Sequence, residues 1–179
     1  MKSIIKISLL SLFIISNLCF SQTKDWQSIF ASNGNIEIKY PSKLKPMSDE
    51  MFNLKYRMSP MPEIRLSDDT ANASIIGTTR PEKATDKDLE QILKSTINVF
   101  HSTRKDIHIL DSGLKMVNNK KIGFVKFHSE AIDQKVFNFL FFTVVKDKLF
   151  MCSFNCTEKI QKEWEPIADE IVKSIVVKN

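Results

Sequence analysis

The sequence predicts an α+β protein of the α-β-α sandwich kind, with a central, mainly antiparallel sheet covered by helices on both faces. The second half of the chain holds four strand-like runs separated by Asn118-Asn119, Asp133-Gln134 and Asp147-Lys148, and connections that short force antiparallel neighbours. One of these runs, VFNFLFFTVV, is apolar on both parities: Val136, Leu140, Phe142 and Val144 on one face, Phe137, Phe139, Phe141 and Val145 on the other. A strand with water on one side would not be written that way, so it belongs centrally in a sheet covered on both faces. Two segments of helical period, one before these runs and one after, are available as covers.

The chain opens MKSIIKISLLSLFIISNLCFS. Lys2 and Lys6, an apolar run from Ile7 to Ile15 and a small or polar end make residues 1–21 a signal peptide, with Cys19 and Ser21 at the cleavage positions and cleavage before Gln22. A membrane anchor is the competing reading, but Ser8, Ser11, Ser16 and Asn17 interrupt a run already shorter than the roughly 20 apolar residues a bilayer requires. Lipid attachment through Cys19 would want a small residue where Leu18 stands. Residues 22–179 are then one domain, long enough to bury a substantial core, with no transmembrane segment left after cleavage. The exported protein is expected in the periplasm or outside the cell. The formal charge of +5 includes Lys2 and Lys6, and a small, interspersed surplus is no nucleic-acid footprint.

The mature region opens with a hairpin, Trp26 to Phe30 and Ile36 to Tyr40 around SNGN, where Asn33 and Gly34 tolerate the positive φ of a tight turn. Ser48 supplies an N-cap oxygen for a short helix through about Met58, with Asp49 and Glu50 suited to its positive end. Pro60 and Pro62 stop it. EIRLS and ASIIGTT follow as strands about the bend DDTAN. From Thr85 to His101 the residues Leu89, Ile92, Leu93, Thr96, Ile97 and Phe100 recur at helical spacing, one buried stripe. The four later strands run over 106–116, 121–130, 134–146 and 148–155. A last helix, from about Glu158, carries Ile160, Trp164, Ile167, Ile171 and Ile175 inward. Pro166 should kink or restart it, because proline lacks the amide hydrogen and crowds the preceding turn. Glu158 with Lys162 and Asp169 with Lys173 are spaced as supporting pairs.

With a signal peptide, IEIKYP early, a helix before the meander, and Trp164 followed by IVKSIVV, the chain resembles the PsbP-like family, which includes the DcrB-type bacterial envelope proteins. Leu44 stands where many members carry tryptophan. The resemblance implies an α-β-α sandwich over residues 26–177 and non-enzymatic work: photosystem accessory subunits, envelope lipoproteins, a nuclear GTPase-binding protein and chaperones that hold apolar effector segments. It brings no catalytic motif and no cofactor.

Three constellations invite chemistry. Met47, Met51, Leu54 and Met58 repeat at helical intervals and Met61 follows in the loop; the spacing suits core packing, an adaptable partner-contact surface, or soft ligation of cuprous copper. Cys152 and Cys156 in MCSFNC face one side of a strand but stand about 13 Å apart at 3.3 Å per residue, beyond disulfide reach unless the chain folds back after Phe154. The plain alternative is thiols packed among Phe150 and Phe154, with Cys156 close enough to the last helix for its thiol to be acidified. His108 falls almost opposite His128 if Asn118-Asn119 is the turn, a two-histidine surface with too few ligands for a metal. The four scattered glycines form no phosphate loop, and neither G-x-S-x-G nor H-E-x-x-H occurs.

The expected function is therefore that of an exported non-enzymatic binding or accessory protein of the bacterial envelope. It would meet an envelope protein or an apolar peptide segment through Met47, Met51, Met58 and Met61. A small metal-dependent hydrolase and a copper-handling protein are the alternatives.

Overall fold

A computed structural model describes residues 25–56, 58–131 and 134–178; the expected leader lies outside them. The opening hairpin forms as read, β1 (Trp26–Ala31) with β2 (Ile36–Pro41), and the turn carries Ser32, Asn33 and Gly34 at positive φ. The two-residue β3 (Lys45–Pro46) leads to α1 (Asp49–Lys55), whose Ser48 hydroxyl accepts the Met51 N–H. This helix stops at Lys55, short of Met58. Then come β4 (Ile64–Ser67), β5 (Ala73–Lys83) and α2 (Leu89–Thr103). The meander follows as β6 (His108–Val117), β7 (Lys120–Glu130), β8 (Lys135–Val145) and β9 (Lys148–Thr157). A 3-10 turn (Glu158–Ile160), α3 (Gln161–Lys173) and β10 (Val176–Val177) close the chain.

Seven strands make one sheet in the order β3-β4-β5-β9-β8-β7-β6, with every pairing antiparallel; β1, β2 and β10 make a second, three-stranded sheet. The aromatic run is internal, as its two-sided apolar pattern requires. Phe141 and Phe142 are adjacent, point to opposite faces, and are 1% and 0% exposed. On the odd-numbered face Phe137, Phe139 and Phe141 share a core with Trp164, Ala168, Ile171 and Val172 of α3. Ile36, Ile38 and Tyr40 of β2 belong to that same core, so the cover there is a helix together with a second sheet rather than helices alone. On the even-numbered face Phe142 and Val144 pack with Leu89 and Leu93 of α2. Each fully buried phenylalanine contributes about 1.5–3 kcal/mol relative to exposure.

Two expectations about α3 need correction. The restart allowed for at Pro166 does not occur, since one helix runs from Gln161 through Pro166 to Lys173. Pro166 and Lys162 both lie on the exposed side, where the carbonyl that proline cannot serve faces solvent instead of being buried unsatisfied, so losing one bond does not end the helix. The anticipated pairs also rearrange: Asp169 and Glu165 clamp Lys126 of β7 at 3.0 and 3.3 Å, and Lys173 turns to Glu170. Tertiary partners outcompete i,i+4 neighbours here because Lys126 is only 14% exposed and its ammonium requires a counter-charge. Asn118, at positive φ in the β6–β7 turn, donates to the Lys173 and Ile175 carbonyls and ties the meander to the end of α3.

Two predictions concern this packing. A Cβ at Gly123 would lie 2.3 Å from the buried Phe142 ring, so Gly123→Ala should destabilise by about 1–3 kcal/mol through overpacking; chemical denaturation should show the loss, and Phe142→Leu in the same chain should recover part of it. Glu63 accepts the Ser32 and Thr79 N–H groups at 2.6 and 2.8 Å, joining the hairpin turn to β5. Burial alone would raise its pKa, but bonds from Thr79 and Ser32 outweigh that and hold it below the ordinary 4.5. Its contribution to stability is thus full above pH 4.5 and lost as pH falls through the lower folded value. Melting temperature below pH 4.5 should consequently fall more steeply in the natural protein than in Glu63→Gln.

Candidate functional site

The two faces of the large sheet are not covered equally. In β9 the residues Phe150, Cys152, Phe154 and Cys156 are buried, while Leu149, Met151, Ser153 and Asn155, on the other face, are only half-buried. The difference follows from where α2 lies: its buried residues pack with Val125, Phe127 and Phe142 of β7 and β8, and it stops short of closing over β9 and the far end of β5.

The result is an open groove of about 530 Å³. Leu149 and Met151 form its floor, and α2 supplies one wall through Ile92, Val99 and Phe100. Val99 is 53% exposed, an apolar side chain off the main helical stripe. The rim is polar, with Arg80, Glu82 and Lys83 from β5 and Asp88 at the start of α2. Asp88 is already engaged, accepting the Thr85 N–H and hydroxyl at 2.7 Å each, and these bonds lower its pKa. Such a carboxylate shapes a turn and is a poor proton acceptor for chemistry. An apolar recess with a mixed-charge rim suits binding by exclusion of water, with the rim fixing orientation.

The four methionines singled out from sequence divide into two pairs. Met47 is buried with Phe52 and Ile76, and Met51 packs against the same cluster. Met58 and Met61 are 44% and 43% exposed, with the Arg65 guanidinium donating to the Met61 sulfur at 3.2 Å. Half of the stripe is thus core and half surface, which follows from α1 ending at Lys55.

Cys152 and Cys156 are both free and buried. The strand continues straight through Thr157, so the fold-back a disulfide between them would require does not occur. Burial pushes both thiols up, Cys156 to about 12 with Glu165 and Asp68 adding to the effect. The expected acidification of Cys156 is therefore reversed, because burial and then the two carboxylates raise the thiol. His108 does pair directly with His128, as the turn assignment predicts, and His128 bonds Gln161 at 2.8 Å. Asp106 is held by Arg104 and accepts the Glu130 N–H. Among the described residues no group of three or more His, Cys, Asp or Glu side chains is placed to hold a metal ion, and no helix is long and apolar enough to cross a membrane.

The groove itself was missed by sequence reasoning. Two signals were available: Val99 standing apolar outside the stripe, and the even-parity mate of the buried face in β9, where Leu149 and Met151 are followed by Ser153 and Asn155. The helical stripe reads Ile92 and Phe100 as core, and they both pack against it and line the groove.

Fold and groove define an α+β domain with an open apolar recess. No protein-family model and no curated protein sequence matches the chain. Among solved structures it is similar to cyanobacterial PsbP (CyanoP) from Synechocystis sp. PCC 6803, at TM-score 0.59 and 11% identity over 92% of this chain and 98% of that one. It is similar to LpqN, involved in cell envelope biogenesis of Mycobacterium tuberculosis, at TM-score 0.60 and 9% identity over 86% and 91%. The Ran-binding protein Mog1p of Saccharomyces cerevisiae aligns at TM-score 0.54 and 12% identity over 85% and 95%. At such identities the likeness is one of fold alone.

The thiol environment carries its own test. In the native protein Cys152 and Cys156 should resist a water-soluble maleimide at neutral pH and react promptly in denaturant, since thiolates are the reactive species. Fast native labelling followed by mass spectrometry would contradict the buried placement.

Proposed function

We propose that this is an exported, non-enzymatic binding or accessory protein of the bacterial envelope, an α-β-α sandwich that holds an apolar segment of a partner protein in the groove beside α2. The observation that carries the reading is the incompletely covered β9 face, where Leu149 and Met151 remain accessible beneath Val99. Exposed apolar surface in a concave site is maintained against its solvation cost when a partner covers it. The rim carries both signs of charge, which suits the polar flanks of a polypeptide better than a uniformly charged ligand. The company of the fold supports the reading: one similar structure is described as a protein of envelope biogenesis and another as a binding protein. Export rests on the leader-like residues 1–21. The exposed Met58 and Met61 are then a second contact area rather than the principal one.

The test is site-specific photocrosslinking in the exporting cell, with the photoreactive residue at Val99, at Met151 or at Met58. Adducts with one envelope protein from the groove positions, abolished by Met151→Glu at unchanged melting temperature, are the expected outcome. Adducts from Met58 alone would move the contact to the methionine segment, and turnover of a substrate panel would replace binding by catalysis.

A further inference from the structure

The two ends of the large sheet are finished differently. One ends in β3, two residues long and closed by Pro46. The other ends in β6, ten residues long and, among the described residues, hydrogen-bonded to β7 alone. A strand of that length exposes a row of backbone N–H and C=O groups, the arrangement that pairs with another strand unless something prevents it. The side chains along it do not prevent it: Leu110, Leu114 and Met116 are 43%, 37% and 64% exposed.

Charge and parity select the strand that fits. In an antiparallel pair that extends the sheet around a two-fold axis, directly opposed residues share a face, so only registers centred on a residue are allowed. Centring on Asp111 or on Lys115 opposes like charges, which is unfavourable, and centring on Ser112 or on Leu114 leaves both Asp111 and Lys115 opposite uncharged residues. Centring on Gly113 places Asp111 of each copy opposite Lys115 of the other, Ser112 opposite Leu114, and Leu110 opposite Met116. Opposite charges meet on one face, while the other opposes Ser112 to Leu114 and, at the edge of the register shift, Leu110 to Met116. The register shift between Ile109 and Asp111 lies outside the central stretch from Asp111 to Lys115, so the core of this pairing uses regular strand.

From this self-complementarity we infer that β6 is a homodimer interface, joining two copies edge to edge through an antiparallel β6–β6 ladder centred on Gly113.

The surroundings of Lys115 support the same partner. Its ammonium lies 4.9 and 5.3 Å from the centres of the Phe124 and Phe139 rings, and among the described residues no carboxylate lies within 4 Å of it. Burial lowers its pKa, with Asp169 and then Lys126 acting in opposite directions. A half-buried cation that Asp169 and Asp111 of its own chain influence only from beyond 4 Å is a poor guard for a sheet edge and a ready acceptor of a carboxylate from a second chain. Gly113 at the axis leaves the two backbones room to approach: a Cβ there would meet only the Phe124 ring, at 3.4 Å.

The experiment is sedimentation of the exported protein over a concentration series, with three variants. The natural chain should reach the dimer mass reversibly. Asp111→Lys should weaken dimerisation on the order of a hundredfold, because it creates two like-charge oppositions per dimer, and adding Lys115→Asp to it should restore dimerisation. Gly113→Cys should form an interchain disulfide under mild oxidation, since directly opposed Cα atoms in an antiparallel ladder lie about 4.5–5.5 Å apart. Near-UV circular dichroism establishes that each variant is folded, and should Asp111→Lys not fold, the Gly113→Cys crosslink decides. A natural chain that stays monomeric at every concentration overturns the proposal, as does a dimer indifferent to Asp111→Lys or one in which Gly113→Cys fails to crosslink.

Discussion

Everything in this molecule is arranged around one strand that tolerates water on neither side. In β8 the consecutive Phe141 and Phe142 are both buried, and consecutive strand residues point to opposite faces. Two separate apolar layers must therefore exist, one on each side of the sheet. The first is built from α3 and the small β1-β2-β10 sheet, which places Trp164 in a stacked pair with Phe154 at 5.7 Å between ring centres. The second is built from α2, whose Phe100 lies 4.7 Å from Phe127. Because β8 sits between β7 and β9, its demand for cover also fixes where those layers must be centred.

That centring leaves the rest of the sheet to be dealt with locally. At the β4–β5 end the short α1 seals Ile76 with Phe52 and Met47, and its Tyr56 hydroxyl meets Ser74 at 2.6 Å, satisfying a fully buried serine. Between α1 and α2 no described element of comparable size covers the half-buried face of β9. The groove is thus a consequence of two helices placed for the needs of other strands. At the opposite end the sheet stops at β6 with apolar residues still exposed. Groove and edge have the same origin: among the described residues, three helices and a small sheet do not reach across seven strands.

Ionic contacts adjust this arrangement more than they create it. Lys126, held between Glu165 and Asp169, orients α3 against β7, and Lys120 with Asp86 at 2.9 Å fastens the segment leading into α2. Lys43 lies 3.9 Å from the Trp164 ring centre and bonds Glu163 at 2.6 Å. Each joins elements distant in sequence, and the more exposed among them contribute little on their own.

Much of the fold was legible in the residues. The period of VFNFLFFTVV, the turn residues Asn33-Gly34 and Asn118-Asn119, the Ser48 cap and the stripe from Leu89 to Phe100 each encode a local geometry that neighbouring residues enforce, so the strands and helices fell close to where those signals place them. The opposition of His108 and His128 was legible for the same reason, since a tight turn sets register. What the tertiary structure alone decided was coverage. Whether Met47 is core and Met58 surface, whether Cys156 meets a helix end or two carboxylates, and whether Leu149 lies under a helix or open to a groove depend on the lateral placement of elements far apart in the chain. Pro166 belongs here too, because a proline's effect on a helix depends on which side faces water. Periodicity reports which face of an element is apolar, but not how far its cover extends, and in this protein the candidate binding surfaces lie where that cover ends.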